Sequence, residues 1–174
     1  MILDIVTLNS ANKELLWQNS KSVTDIDTKV KELIENMLDT MYYAKGIGLS
    51  AVQVGVLKKI FVIDIPEQTG EPLICINPEI IRSSRDYAEY EEGCLSIPGV
   101  THRIQRPRSI ALQYTDLDSK KQELTADDLL ATCIQHEYDH LFGKLFIEHA
   151  AVKEYKKINK LLEDNNLPPY LKEK

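Results

Sequence analysis

His136 and His140 stand four residues apart, with Glu137 directly after the first, in the run Ile134-Gln135-His136-Glu137-Tyr138-Asp139-His140-Leu141. On a helix this spacing puts both imidazoles on one face, roughly 5–6 Å apart at Cβ and within reach of a single metal ion. Glu137 then lies where it can reach a water on that metal but not the metal itself. The surrounding residues support a helix. Asp127 and Asp128 place negative charge and a candidate cap at its start, Leu130, Ile134, Tyr138 and Leu141 form an apolar stripe, and Gly143 stops it. The competing reading is a helix with two surface histidines. The chain contains only four histidines, so two in this pattern by accident is the weaker account.

The rest of the chain must build a scaffold around that helix. Its 174 residues, 43% of them hydrophobic, supply the core of one ordinary domain, read here as residues 1–174. An irregular segment over 8–22 is expected to wrap the surface. Val30, Leu33, Ile34, Met37, Leu38 and Met41 then recur at helical spacing, which predicts an amphipathic helix capped by Asp25 or Asp27 and ended by Gly46. From Lys59 the period changes to that of strands, over 60–65, 73–76, 80–81, 100–104 and 109–114. A hairpin loop over 116–121 leads to another strand near 122–124. After the histidine helix, the pattern predicts a short strand over 145–147 and a final helix over 151–164. There is no regular βαβ alternation and no internal repeat. The fold class is therefore α+β, with short, mostly antiparallel β-sheets packed around a central helix, plus an N-terminal and a C-terminal helix.

Two histidines do not complete a catalytic metal site. The third histidine of the metzincin pattern is missing, since Phe146 occupies its position, and thermolysin-like sites use a downstream glutamate. Glu148 and His149 are conceivable ligands, but they follow a glycine break. Upstream, Gly93 and Pro98 place Cys94 in a tight segment suited to presenting a thiolate beside a metal. Cys75 reads as a small core hydrophobe. Gln53, in the otherwise apolar stretch 46–55, is a partly buried amide that needs partners. The three cysteines show no pairing pattern and suit a reducing cytosol. No run of 18 apolar residues and no basic-then-apolar leader occurs, so neither membrane insertion nor secretion is expected. The net charge of −6 argues against a nucleic-acid platform, and no specific DNA binding is expected. Every arginine lies between Arg82 and Arg108, around Glu89, Glu91 and Glu92. That confinement predicts ion pairs bracing this region, Glu92 with Arg106 in particular, rather than a phosphate site.

Gly46-Ile47-Gly48-Leu49-Ser50-Ala51-Val52-Gln53, Glu92-Gly93-Cys94-Leu95-Ser96 and Gln135-His136-Glu137-Tyr138-Asp139-His140 together resemble the three motifs of the peptide deformylases, in order and at familiar spacing. The resemblance runs from the first helix to about residue 147. Departures are mild: Ser50 stands where alanine is frequent, and Thr101 where some members carry an arginine near the substrate. The resemblance implies hydrolytic removal of the formyl group from N-formylmethionine of nascent polypeptides in the cytoplasm. It implies metal ligands Cys94, His136 and His140, with water in the fourth position and Glu137 as general base. It further implies an oxyanion held by the metal, the Gln53 amide and the Leu95 backbone N–H. The peptide would pair with backbone at Ile47 and Gly93, next to Gly48, and the methionine would enter a pocket of Ile47, Tyr90, Leu129, Cys133 and His136. Thiolate plus imidazole suits zinc, iron, nickel or cobalt, and the resemblance implies Fe2+, with zinc the runner-up. A metallopeptidase cleaving internal bonds and a module with a purely structural metal are the alternative readings.

The C-terminal segment carries Lys153, Lys156, Lys157, Lys160, Lys172 and Lys174 against Glu154, Glu163, Asp164 and Glu173. Val152, Tyr155, Ile158, Leu161 and Leu162 form a stripe that docks a helix on the body and turns the lysines outward. A solvated helix face is the plainer reading. Some members resemble this arrangement and contact the ribosome through it, which makes ribosome association an expectation.

Overall fold

The computed structural model describes residues 1–172. Glu173 and Lys174, part of the lysine-bearing tail, lie outside the described residues. Seven strands form two antiparallel sheets. β1 (Gly48–Ser50), β2 (Ile60–Ile63), β3 (Leu73–Ser83), β6 (Ser109–Thr115) and β7 (Lys121–Asp127) make a five-stranded sheet in the order β1-β2-β3-β6-β7. β4 (Tyr87–Cys94) and β5 (Ile97–Pro107) make a separate hairpin, with Tyr87 opposite Pro107 and Gly93 opposite Thr101. The helices are α1 (Thr28–Tyr43), the single turn α2 (Pro66–Thr69), α3 (Asp128–His140) and α4 (Tyr155–Asp164).

β2 shows why the sheet lies where it does. All four of its residues are buried, because successive side chains point to opposite faces and both faces are covered. Phe61 and Ile63 join Cys75, Ile110 and Leu112 against Leu130, Ala131 and Ile134 of α3 and Leu141 at its C-terminal end. Ile60 and Val62 join Ile76 and Leu49 against Val30, Ile34, Met37 and Met41 of α1. Each of the Val, Leu, Ile, Met and Phe side chains, fully buried, contributes about 1.5–3 kcal/mol. The histidine helix thus forms one cover of the sheet and α1 the other.

The α1 start is as expected at Asp27, whose carboxylate accepts from the Val30 N–H at 2.8 Å. The left-handed turn after the helix falls on Lys45 (φ 57°), and the Gly46 N–H closes it onto the Met41 carbonyl. Gly143 does end α3, with φ 69° and its missing Cβ 2.4 Å from the Trp17 carbonyl oxygen, so a side chain would collide with backbone.

The segment 8–22 does wrap the surface, most of its residues being exposed or half-buried, and is pinned there by the buried Leu8, Leu16 and Ser20, with a 3-10 turn over Lys13–Trp17. Two expectations are corrected. The apolar run 145–147 is no strand but opens a 3-10 turn, Phe146–His149, whose Phe146 and Ile147 enter the core under the hairpin. Residues 73–76 and 80–81 belong to one long strand, broken only by register shifts past Asn77. The C-terminal helix does dock, and deeply. Ile158, Leu162, Leu167 and Leu171 share a core with Ile97, Val100 and Ile104 of β5. No helix among the described residues is long and apolar enough to cross a membrane.

Candidate metal centre and active site

α3 is buried on nearly every side from Leu130 to Glu137, so its polar side chains must find partners inside the protein. Gln135 Nε2 donates to the carbonyls of Pro107 and Ala131, at 2.9 and 3.0 Å. His136 Nδ1 meets Glu92 Oε2 at 2.8 Å. Ser50 Oγ donates to Glu137 Oε2 at 2.7 Å. Thr132 Oγ1 and His140 Nδ1 find no protein partner among the described residues.

His136 and His140 face one another, ring centroids 5.1 Å apart. Cys94, the last residue of β4, enters from the hairpin and brings its sulfur to 3.3 Å from His140 Nε2. One ligand atom from each of the three lies within 4.8 Å of the others. Glu148 and His149 are not brought to this point: Glu148 accepts from the Leu145 N–H and His149 meets Asp139. Burial lowers the proton affinity of His136, yet the Cys94 and Glu92 contacts outweigh it and hold the imidazole well above its ordinary value. Burial, reinforced by the charge on His136, pushes His140 well below. One sulfur and two imidazole nitrogens converging in this way are a donor set that suits a divalent transition metal or zinc. Burial also raises the Glu137 carboxyl, against the lowering effects of His136 and Ser50.

The expected brace is present and extends further than the sequence indicated. Arg106 grips Glu92 with two donors, Nε to Oε1 at 2.6 Å and Nη2 to Oε2 at 3.0 Å, and both side chains are buried. Its remaining nitrogen, Nη1, donates to Asp139 Oδ2 at 2.8 Å. Glu92 is thus the link between Arg106 and the ring of His136, fixing which imidazole nitrogen faces the cluster. Burial alone would raise the Glu92 carboxyl, but hydrogen bonds from His136 and Arg106 carry it below the usual carboxylate range.

Gln53 is buried beside the sulfur. Its Oε1 accepts from the Ser50 N–H at 2.9 Å, and its Nε2 donates to Ser96 Oγ at 3.1 Å and to Cys94 Sγ at 3.5 Å. The cluster closes one end of a cleft of about 560 Å³, lined by Ile47, Gly48, Gln53, Tyr90, Gly93, Cys94, Leu95, Leu129, Cys133, His136 and Glu137 among others. The residues that the family resemblance assigned to the site are there except His140, which lies fully buried behind the wall. Ser96 and Asp139, which fix Gln53 and Arg106, were not nominated. Both lie within the three motifs, but their roles could not be read there, because each acts through a partner distant in sequence.

Fold and site together point to a hydrolase of the H-E-x-x-H kind, in which a strand-borne cysteine joins the two histidines in a cluster that could hold a metal ion. The sequence matches the polypeptide deformylase family over residues 2–156. A peptide deformylase of Agrobacterium fabrum is 50% identical over 137 residues, which cover 78% of this chain and 81% of the relative. One from Wolbachia pipientis is 46% identical over 163 residues, covering 88% and 91%. Among solved structures, a peptide deformylase from Synechococcus elongatus in complex with actinonin has a TM-score of 0.87 at 42% identity, covering 95% of this chain and 86% of that one. The peptide deformylase of Legionella pneumophila gives 0.86 at 37% identity, covering 95% and 96%. The chain belongs to the polypeptide deformylase family. It is an enzyme, a metal-dependent hydrolase that removes the N-formyl group from N-formylmethionine, rather than a metallopeptidase or a structural-metal module.

Proposed function

We propose that Cys94, His136 and His140 hold one divalent cation, and that Glu137, Gln53 and Leu95 carry out deformylation beside it. The observation that carries this reading is the convergence of the three ligand atoms with Glu137 and Gln53 at the closed end of an apolar cleft. A cation held there supplies Lewis acidity, lowering the pKa of a water and polarising the formyl carbonyl. Glu137 takes a proton from the attacking water as its oxygen bonds to the formyl carbon. The Gln53 amide and the Leu95 N–H donate to the resulting oxyanion. For this, Gln53 Nε2 redirects the hydrogen that points at the Cys94 sulfur while keeping its bond to Ser96. The carbon–nitrogen bond then breaks, Glu137 returns the proton to the leaving amine, and formate departs beside a free N-terminus.

The peptide lies extended, adding a strand at the free edge of β4 by Gly93 and lying along Ile47, whose carbonyl also accepts from the Asp64 N–H. The methionine side chain enters between Ile47, Tyr90, Leu129 and Cys133, and is not wide of His136. Cys133 suits a wall: its thiol points at the Ile47 carbonyl, 3.9 Å away, and burial holds its pKa well up. The ligand set of sulfur and nitrogen favours a transition metal or zinc over magnesium or calcium. The choice of Fe2+ rests on family resemblance, with zinc second. The core shared by α4 and β5 supports reading residues 1–174 as one domain, and the reaction suits the cytoplasm. Ribosome association through Lys153, Lys156, Lys157 and Lys160 is supported by their exposure on the outer face of α4 and the turn that precedes it.

The test compares formate release from formyl-Met-Ala-Ser with cleavage of an unformylated peptide of the same length, in wild type and in Glu137→Gln and Cys94→Ala. The roles assigned require formate from the formylated peptide alone, loss of turnover with retained metal in Glu137→Gln, and loss of metal in Cys94→Ala. Full metal content in Cys94→Ala would remove that residue from the ligand set.

A further inference from the structure

We infer that Glu91 selects for a basic residue directly after the methionine of the substrate. This rests on the reading above that the peptide lies as an added strand at the edge of β4. That strand pairs with β5 on one side only, and its other edge borders the cleft through residues 90–94. A peptide whose formyl end sits at Cys94 leaves the site toward Tyr87, and so runs antiparallel to β4. Opposed residues in an antiparallel pair put their side chains on the same face. Along β4 the faces alternate: Tyr90 and Glu92 point inward, whereas Glu89, Glu91 and Gly93 face solvent. A methionine that enters the cleft beside Tyr90 fixes the parity, and the next side chain must emerge on the face of Gly93 and Glu91. Gly93 has no side chain to offer. Glu91 lies either directly opposite that residue or on the diagonal, about 5 or about 7–8 Å away at Cα, within reach of a lysine or arginine.

The carboxylate is available for such a contact. Thr101, which stands opposite Gly93, donates its hydroxyl to Glu91 Oε1 at 2.7 Å and draws the carboxylate toward the site. Arg103 stands opposite Glu91 in register but gives its guanidinium to Glu89 at 2.9 Å. Among the described residues, no cation lies within ion-pair distance of Glu91. Lys45 lines the same cleft and is the competing charge. The plainer alternative is a solvated rim carboxylate without effect on substrate choice.

The experiment measures kcat/KM at low ionic strength for formyl-Met-Lys-Ser, formyl-Met-Ala-Ser and formyl-Met-Glu-Ser with the metal-loaded enzyme. The expected order is Lys, Ala, Glu, with a total spread of roughly three- to tenfold, as fits an exposed charge pair. The spread should shrink as salt is added. Glu91→Gln, which keeps the acceptor for Thr101, should flatten the order, and Glu91→Lys should invert it. An unchanged Lys-to-Glu ratio in Glu91→Gln, no order in wild type, or a preference for Glu that assigns the rim to Lys45 each overturns the inference. Loss of all three turnovers in wild type brings down the deformylation reading itself, and the inference with it. Turnover without an order brings down the inference alone.

Discussion

Gly48 and Glu137 approach so closely that a Cβ built on Gly48 would stand 2.5 Å from Glu137 Oε1 and 3.0 Å from its Cγ and Cδ. The glycine at the start of β1 is therefore the floor on which Glu137, the proposed general base, rests. The sequence nominated it only as a backbone contact for substrate.

Gly48→Ala follows from that approach. Gly48 is not among the residues of positive φ, so alanine suits its backbone and the strand should form. What must give is the Glu137 side chain, whose Oε2 Ser50 also holds at 2.7 Å, from the same face of β1. A displacement of this size is expected to lower kcat by about 10- to 100-fold. Thermal unfolding and metal content should stay near wild type. A variant that loses its metal or its fold along with its rate would place Gly48 in the scaffold rather than under the base.

Gln53 offers a cleaner separation of roles. A single oxyanion donor is worth about 10²–10³ in rate, so Gln53→Ala should lower kcat with little change in KM. It also leaves the Ser50 N–H without its acceptor, so stability should fall as well. Gln53→Glu keeps that acceptor and removes the donor. The same loss of kcat in Gln53→Glu, with a smaller drop in Tm, assigns the catalytic effect to the N–H. A near-normal rate in Gln53→Glu would mean the amide only holds the loop.

How much of this was legible depended on whether the signal was local. The α3 helix was, because its apolar positions and His136–His140 spacing all lie within thirteen residues. β4 was not: five of its eight residues are Tyr87, Glu89, Glu91, Glu92 and Gly93, which read as an acidic cluster rather than a strand. It forms because Ala88, Tyr90 and Glu92 alternate inward along a hairpin whose partner supplies the arginines. β1 was missed because three residues led by a glycine carry no period. The run 145–147 misled because a short apolar run does not distinguish a strand from a buried turn. The pairing of Glu92 with Arg106 was readable from arginine confinement. The reach of Arg106 onward to Asp139 was not, since it joins residues 33 apart on elements that meet only in the fold.

The brace also makes a prediction about acid. With Arg106 and Glu92 both buried, Arg106→Leu leaves Glu92 as an uncompensated buried charge, and should cost about 3–5 kcal/mol. The pKa of Glu92 is lower in the folded protein than the ordinary carboxylate value, and that of Asp139 is lowered likewise by His149 and Arg106 against burial. A carboxyl of lowered pKa stabilises fully above its unfolded value, and the contribution is lost as pH falls through the folded value. Wild type should therefore lose stability through and below the ordinary carboxylate range. In Arg106→Leu that part of the acid dependence should shrink. Denaturant midpoints measured from neutral pH downward test it, and parallel profiles for the two proteins would show that the pair does not govern the acid limb.

The last prediction separates the two faces of α4. Its inner face is core: Ile158 and Leu162 are fully buried, and Leu167 and Leu171 beyond the helix join them beneath Ile97, Val100 and Ile104. Trp17 also packs edge-on against Tyr170, with ring centroids 5.3 Å apart. Truncation after Glu148 therefore strips the floor from the hairpin that carries Cys94, and should yield an unstable protein. Leu162→Ala alone should cost about 2–5 kcal/mol. The outer face is different, since Lys153, Lys156, Lys157 and Lys160 border open solvent and add nothing to that core. Replacing these four lysines with glutamate should leave Tm and deformylation of a short formyl peptide close to wild type. If the face meets the phosphate-rich surface of a ribosome, co-sedimentation at low salt should fall sharply in the same variant, and in wild type as salt is raised. Undiminished co-sedimentation of the quadruple variant would leave the lysines as a solvated face.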